Sequence, residues 1–286
     1  MNKHEIMSGF REAANITRRS AGNFYFASLF LPKEIRYAAY SIYSVCRISD
    51  ETLDSYSSSV SEDLEKLKNN IYAVYTDAQL QNDLFFAFRH TVRKYNISLN
   101  YFHALIDGMR LDITKTRYAD FSELYDYCYK VAGVVGLVML KIFGYDNDDA
   151  ETYALDLGIA MQLTNIIRDI KEDLKRDRIY IPQEELARYG ISEEDLKKEN
   201  LNEGFREMLK MQIKRAREYY SRSSPGIKMI KKPSCRYVSG LMKEFYERIL
   251  KDIENKDYDI FSGKAHVSGM RKTFIAARAL IKKEYL

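Results

Sequence analysis

Two pairs of aspartates stand out as residues able to do chemistry: Asp50 with Asp54, and Asp169 with Asp173. Members of each pair stand four residues apart, the spacing that brings two side chains to one face of an α-helix. Paired carboxylates attract a divalent cation. Oxygen ligands without histidine or cysteine select a hard one, Mg2+ with Mn2+ as a substitute. Spacing alone carries little weight. With 41 acidic residues among 286, roughly six such pairs arise by chance, and most decorate a solvated helix face.

The neighbourhoods of these pairs carry more. Gln162, Asn165, Asp169 and Asp173 share one stripe of a helix with 3.6 residues per turn, and the stripe continues backward through Gly158 and Leu155. The segment YALDLGIAMQL there is apolar almost all round, which reads as a buried half-helix leading to an acidic end. The first pair repeats the design, with Ala39, Tyr40, Tyr43 and Arg47 preceding Asp50 and Asp54. Two such helices packed roughly parallel would bound a pocket with an apolar floor and an acidic rim. That shape suits an amphiphile with an anionic head, bridged to the carboxylates by cations. Four carboxylates, two diphosphates and three Mg2+ leave about −4, which Arg47 and Arg168, each beside an acid pair, partly offset. Each arginine taken alone reads equally as half of a surface salt bridge. A third constellation, Tyr125, Tyr127, Tyr129, Ala132, Gly133 and Gly136, lies in YDYCYKVAGVVG. Glycine inside a helix costs about 1 kcal/mol against alanine, so something approaches closely there: a neighbouring helix or an apolar chain.

The elements that must position these residues are helical. Thirteen glycines and four prolines in 286 residues interrupt little. The periodicity predicts helices over Lys3–Arg18, Pro32–Tyr56, Ser61–Thr76, Asn82–Tyr95, Leu99–Lys115, Phe121–Phe143 and Asp149–Asp173. Short ones follow from Pro182 and Ser192. Asn202–Ser223, Cys235–Lys256 and a last helix from Val267 are amphipathic. No strand alternation, linker or repeat intervenes, so residues 1–286 read as one all-α domain, a helical bundle around a central cavity. The net charge of +4 comes without a basic run, which argues against a nucleic-acid partner and leaves room for a modest attraction to anionic membrane surfaces. Cys46, Cys128 and Cys235 show no metal or disulfide spacing and fit a reducing cytoplasm. No signal-like apolar core or membrane-spanning run is present. The expected place is the cytoplasm, with peripheral contact to a membrane left open.

The chain resembles the squalene and phytoene synthase family over essentially its whole length. YSVCRISDETLD (Tyr43–Asp54) and QLTNIIRDIKEDLKRDRIYIP (Gln162–Pro182) resemble the family's two aspartate-rich motifs, YCYKVAGVVG (Tyr127–Gly136) its central segment, and FYERILKDIENKDYDIFSGKAHVSGMRK its C-terminal segment. The resemblance implies an isoprenoid synthase fold and Mg2+-dependent head-to-head joining of two allylic diphosphates through a cyclopropyl intermediate. It also implies metal held by Asp50, Asp54, Asp169 and Asp173. Tyr43, Arg47, Gln162, Asn165 and Arg168 would line the head-group region, and Tyr129 and Tyr246 would stand by the reacting diphosphate. Tyr40 and Ser28 would border the pocket floor that tells chain lengths apart. Departures are Glu51 in place of the second adjacent aspartate, Ser20-Ala21-Gly22-Asn23 in place of a serine-rich segment, and Gly263-Lys264 in place of two arginines. Lysine is a point charge where arginine is a fork.

Among products, the motifs favour phytoene from geranylgeranyl diphosphate. Squalene or dehydrosqualene from farnesyl diphosphate is the alternative, with NADPH required only for squalene. A helical assembly protein of the same fold is the non-enzyme reading, and the retained acids argue against it. A terpene cyclase would not carry the YCYKVAG segment. The metal reading predicts that turnover vanishes with EDTA and returns with Mg2+, and that Asp50→Asn or Asp169→Asn lowers it at least ~100-fold in a folded protein. Near-normal turnover in both folded variants would remove the metal assignment.

Overall fold

The computed structural model describes residues 2–54, 60–76, 78–80 and 82–285, and for 49–54 and 60 the backbone alone. Among these residues the chain is helical, with isolated β-bridges at Arg117–Ile179 and Tyr145–Ile230 and no sheet. The first group of helices is α1 (Lys3–Ser20), α2 (Gly22–Ser28), α3 (Lys33–Asp54), α4 (Val60–Tyr75), α5 (Asp83–Lys94) and α6 (Leu99–Thr114). Next, α7 (Phe121–Cys128) passes through a π-helical turn (Tyr129–Gly133) into α8 (Val134–Phe143), and α9 (Asp149–Leu174) follows. Short α10 (Gln183–Arg188) and α11 (Glu193–Lys197) lead to α12 (Glu203–Met229), α13 (Pro233–Asn255) and α14 (Gly269–Ile281).

Three helices differ in kind from the sequence expectation. Phe121–Phe143 is continuous, but Tyr129–Gly133 widens to a π turn, which shifts every later side chain around the axis. The α12 helix runs on through Pro225 to Met229. The hydroxyls of Ser223 and Ser224 both donate to the Tyr220 carbonyl one turn earlier, and α12 lies against α9. The seven-residue α2 is dominated by aromatic and small residues, with no polar face to give a periodic signal.

Two groups of helices meet around a cavity. On one side α3 packs against α1, α5, α4 and α6, and on the other α9 packs against α12, α13 and α8. The π turn and α8 bridge the groups through α6, and α2 closes onto α13. The core is continuous through both.

The crossing of α9 over the π turn and α8 sets the distance between the walls. A Cβ on Gly158 would lie 2.5 Å from the Ala132 carbonyl oxygen, and one on Gly136 would lie 2.5 Å from that of Ala154. Both contacts are to backbone, which cannot turn aside. The glycines therefore serve tight helix packing, and both also face the cavity. Gly158→Ala is expected to cost about 1–3 kcal/mol as the helices are forced apart. Urea unfolding of the purified variant measures this, and an unchanged midpoint and slope would show that the crossing yields freely.

Candidate active site

The cavity between the two groups measures about 320 Å3, within the usual range of small-molecule sites. The α3 helix contributes Ile42, Tyr43 and Cys46, and α9 contributes one face from Ala150 to Asn165. The α3 and α9 helices thus face one another across open space. Val131, Val135 and Met139 form a third wall, Met242 and Tyr246 of α13 a fourth, and Phe24 of α2 enters from the side. Along α9 the lining changes from Ala150, Ala154 and Leu157 to Gln162 and Asn165, and the same helix then carries Arg168, Asp169 and Asp173.

At this polar end Asn165 Nδ2 donates to Gln162 Oε1 at 3.5 Å, and Tyr246 lines the cavity with them. Burial pushes the Tyr246 hydroxyl pKa up, opposed by the nearby Arg168 guanidinium. Tyr43 packs on Phe24 with ring centroids 5.6 Å apart, and its hydroxyl donates to Ser20 Oγ at 3.4 Å. Arg168 Nε donates to Asp169 Oδ1 at 2.7 Å, and Lys264 Nζ lies 2.7 Å from the same oxygen. Burial would raise the Asp169 pKa, but the two cations outweigh it and hold the carboxyl below its ordinary value. Asp173 goes the other way: burial, then repulsion from Asp169, push it up to about 7 against the pull of Arg178 and Arg176. Lys171 Nζ donates to the Phe261 carbonyl at 2.7 Å and ties the segment bearing Lys264 to the rim.

Whether these groups suit a cation can be judged from their state. Asp173 is a half-buried carboxyl whose neighbours include the acids Asp169 and Asp112. Asn165 Oδ1 is a buried acceptor without a hydrogen-bond partner. A hard divalent cation relieves both conditions, so the donor set fits Mg2+. Among the described residues no three acidic, histidine or cysteine side chains converge into a preformed cage. Asp50 and Asp54 stand at the end of α3, and their side chains lie outside the described residues. Arg47, one turn before Asp50 and Glu51, is half-buried.

Three of the expected site residues lie outside the cavity lining. Tyr129 is not in the cavity lining. It lies in the π turn near Tyr101 and Tyr125. Tyr127, two residues earlier, instead reaches the acidic end. Its hydroxyl donates to Asp112 Oδ2 at 3.2 Å, while Tyr180 donates to Asp112 Oδ1 at 2.7 Å. Tyr40 and Ser28 do not line the cavity either. Their hydroxyls are hydrogen-bonded to each other at 2.6 Å, and Phe24 lies edge-on against the Tyr40 ring. Two buried hydroxyls that satisfy one another have reason to turn away from an apolar cavity. Asp112 and Tyr180 escaped the sequence reading, and Tyr127 stood in the third constellation without this role. The usable signal was an acid at Asp112 continuing the apolar stripe Leu105–Met109 of α6, the same pattern that marked α9.

The model of the family described as squalene/phytoene synthase matches residues 17–271. The 15-cis-phytoene synthase of Synechococcus elongatus is 32% identical to this chain, over 98% of this chain and 95% of its own. The chloroplastic phytoene synthase 1 of Zea mays is 35% identical, over 95% of this chain and 68% of its own. Among solved structures, a dehydrosqualene synthase in complex with ligand superposes with a TM-score of 0.91 at 25% identity, covering 99% of both chains. The squalene synthase HpnC from Alicyclobacillus acidocaldarius superposes at 0.83 and 26%, over 90% of this chain and 97% of its own. Motif, cavity and fold agree with these likenesses, and the chain belongs to the squalene/phytoene synthase family.

Proposed function

We propose that the protein, a prenyltransferase, joins two geranylgeranyl diphosphates head to head and releases phytoene, a step of carotenoid biosynthesis. The observation that carries this reading is an apolar cavity whose polar end leads along one helix to Asp169 and Asp173. The phytoene synthase relatives support the longer substrate.

In the first half-reaction the C1–oxygen bond of one substrate breaks, diphosphate leaves, and the double bond of the second substrate attacks the allylic cation. Loss of a proton closes the cyclopropane of prephytoene diphosphate. In the second half the remaining diphosphate leaves, the skeleton rearranges, and a second proton is lost. Two diphosphates and two protons are released, and no reductant is consumed. Asp169 and Asp173, with Asp50 and Asp54, would hold Mg2+, which would supply Lewis-acid charge for the departure of diphosphate. Arg168 and Lys264 lie where they can take up diphosphate oxygens. Phe24, Tyr43 and Tyr246 line the cavity, and aromatic rings there favour cationic intermediates. Val131, Val135, Met139 and Leu157 keep water from them. Peripheral contact with a membrane would carry the hydrocarbon away.

Incubation with geranylgeranyl diphosphate and Mg2+ is expected to give phytoene, with rate and product unchanged by NADPH. Squalene formed from farnesyl diphosphate only when NADPH is present would replace this reading with that of a squalene synthase.

Asp173 supplies an independent test of the acidic end. Its pKa is raised from 3.8 to about 7, so between these values the folded state keeps a proton that the unfolded chain has released. Stability from this group is therefore intact below about pH 4 and is lost as pH rises through 7. In EDTA, Asp173→Asn is expected to melt several degrees above the parent protein at pH 8 and level with it near pH 4. Adding Mg2+ at pH 8 should favour the parent. A melting difference independent of pH would mean that Asp173 carries no such strain.

A further inference from the structure

Among the described residues, the large apolar side chains left exposed are Leu29, Phe30, Met270, Phe274, Leu280 and Ile281. All lie just after α2 or in α14, and these two segments adjoin. Lys272 Nζ at the start of α14 donates to the Gly22 carbonyl at 3.2 Å. The buried Tyr237 of α13 joins them again. Its ring meets Phe30 edge-on with centroids 5.1 Å apart, and its hydroxyl donates to the Ala276 carbonyl at 2.6 Å.

Within α14 the exposure has a helical period. Ile275, Ala276 and Ala279 are buried against the body. Met270, Phe274, Ala277 and Ile281 follow one another at intervals of four, three and four and form a second apolar stripe that faces outward. Met270 is 86% exposed, Phe274 69% and Ile281 82%. An ordinary surface helix has one apolar stripe, and this one has two.

The charge of the molecule is concentrated in the same place. Residues 269–286 contain five basic side chains and one acidic, which leaves 40 of each in the other 268 residues. The whole net charge of +4 therefore belongs to this segment. Arg271, Lys282 and Lys283 are exposed beside the stripe, and Arg36, whose Nη1 donates to the Leu29 carbonyl at 3.4 Å, stands at the other edge.

We propose that α14, with Leu29 and Phe30, is the face on which this protein docks to a bilayer containing anionic lipid. The outward stripe would enter the acyl boundary while the cations meet the head groups. Charge selects this occupant over a second copy of the chain, because a symmetric self-contact would set the exposed Arg271, Lys282 and Lys283 of one copy against those of the other. The face also lies close to the cavity. The α13 helix turns Val238 and Met242 to the cavity and Tyr237 to α14, so a single helix separates the two. This deepens the membrane contact proposed above by assigning it a surface, and on that reading a product without any polar group leaves directly into lipid.

Vesicle co-sedimentation tests it, using the full chain with phosphatidylcholine–phosphatidylglycerol vesicles and with phosphatidylcholine alone. The protein is expected to sediment with the mixed vesicles and to bind at least about tenfold more weakly to the neutral ones. Met270→Glu with Phe274→Glu, and separately Lys282→Glu with Lys283→Glu, should each weaken binding at least about tenfold. Melting temperature and turnover of detergent-dispersed geranylgeranyl diphosphate should stay unchanged. Parent protein that stays in the supernatant with both vesicles, or variants that bind as the parent does, would overturn the assignment. So would a dimer in solution that the Met270/Phe274 variant makes monomeric, since the face would then belong to a second copy. Parent protein that turns over substrate without binding refutes the docking face alone. Parent protein that binds without turnover refutes the proposed reaction and leaves the docking face standing.

Discussion

Two carboxylates one helical turn apart, both largely withdrawn from water, repel each other, and the acidic end of α9 is organised around that repulsion. Asp169 is neutralised by Arg168 and Lys264. Asp173 retains a raised affinity for its proton. Asp112 is held in place by the hydroxyls of Tyr127 and Tyr180. About two to four turns earlier the same helix lines the cavity with Ala154, Leu157, Gly158 and Met161, so one continuous rod carries the cavity wall and the ionic rim. The rim is thereby fixed at one end of the cavity.

The second constraint is backbone contact. At Gly136 and Gly158 the chains of α8 and α9 approach closely enough that a methyl group on either would meet a carbonyl oxygen. That approach leaves room for the opposite wall, α3, to stand off across the cavity rather than pack against α9. A cavity of this size inside a helical core sacrifices dispersion contacts on its walls, and dense packing of α9 on α12 and of α1 on α3 and α5 lies on either side of it.

Much of this was legible beforehand because helices write their environment into a 3.6-residue period. The passage of α9 from buried to acidic followed from Leu155, Gly158, Gln162, Asn165 and Asp169 lying on one stripe, and the all-helical class followed from scarce glycine and proline. What escaped depended on partners distant in sequence. Nothing near Tyr40 announces that its hydroxyl is taken by Ser28, and nothing near Asp112 announces Tyr180, 68 residues later. Tyr129 was set beside the diphosphate by the resemblance of its motif, and nothing in that segment announces the wider turn in which it lies. Pro225 misled for a related reason: its local preference is to end a helix, and the packing of α12 along α9 overrides it.

That wider turn has a consequence for the tolerance of the chain to change. Tyr127 before it meets Asp112, while Val131 and Ala132 within it and Val135 after it face the cavity. A wide turn fits one residue more than an α turn into nearly the same rotation, so losing one residue between Tyr129 and Gly133 would let the helix close into a regular α spiral with Tyr127 and Val135 still facing their own walls. The same loss in α7 or α8 would rotate every later side chain by about 100°. Single-residue deletions should therefore be far better tolerated inside the wide turn than on either side of it.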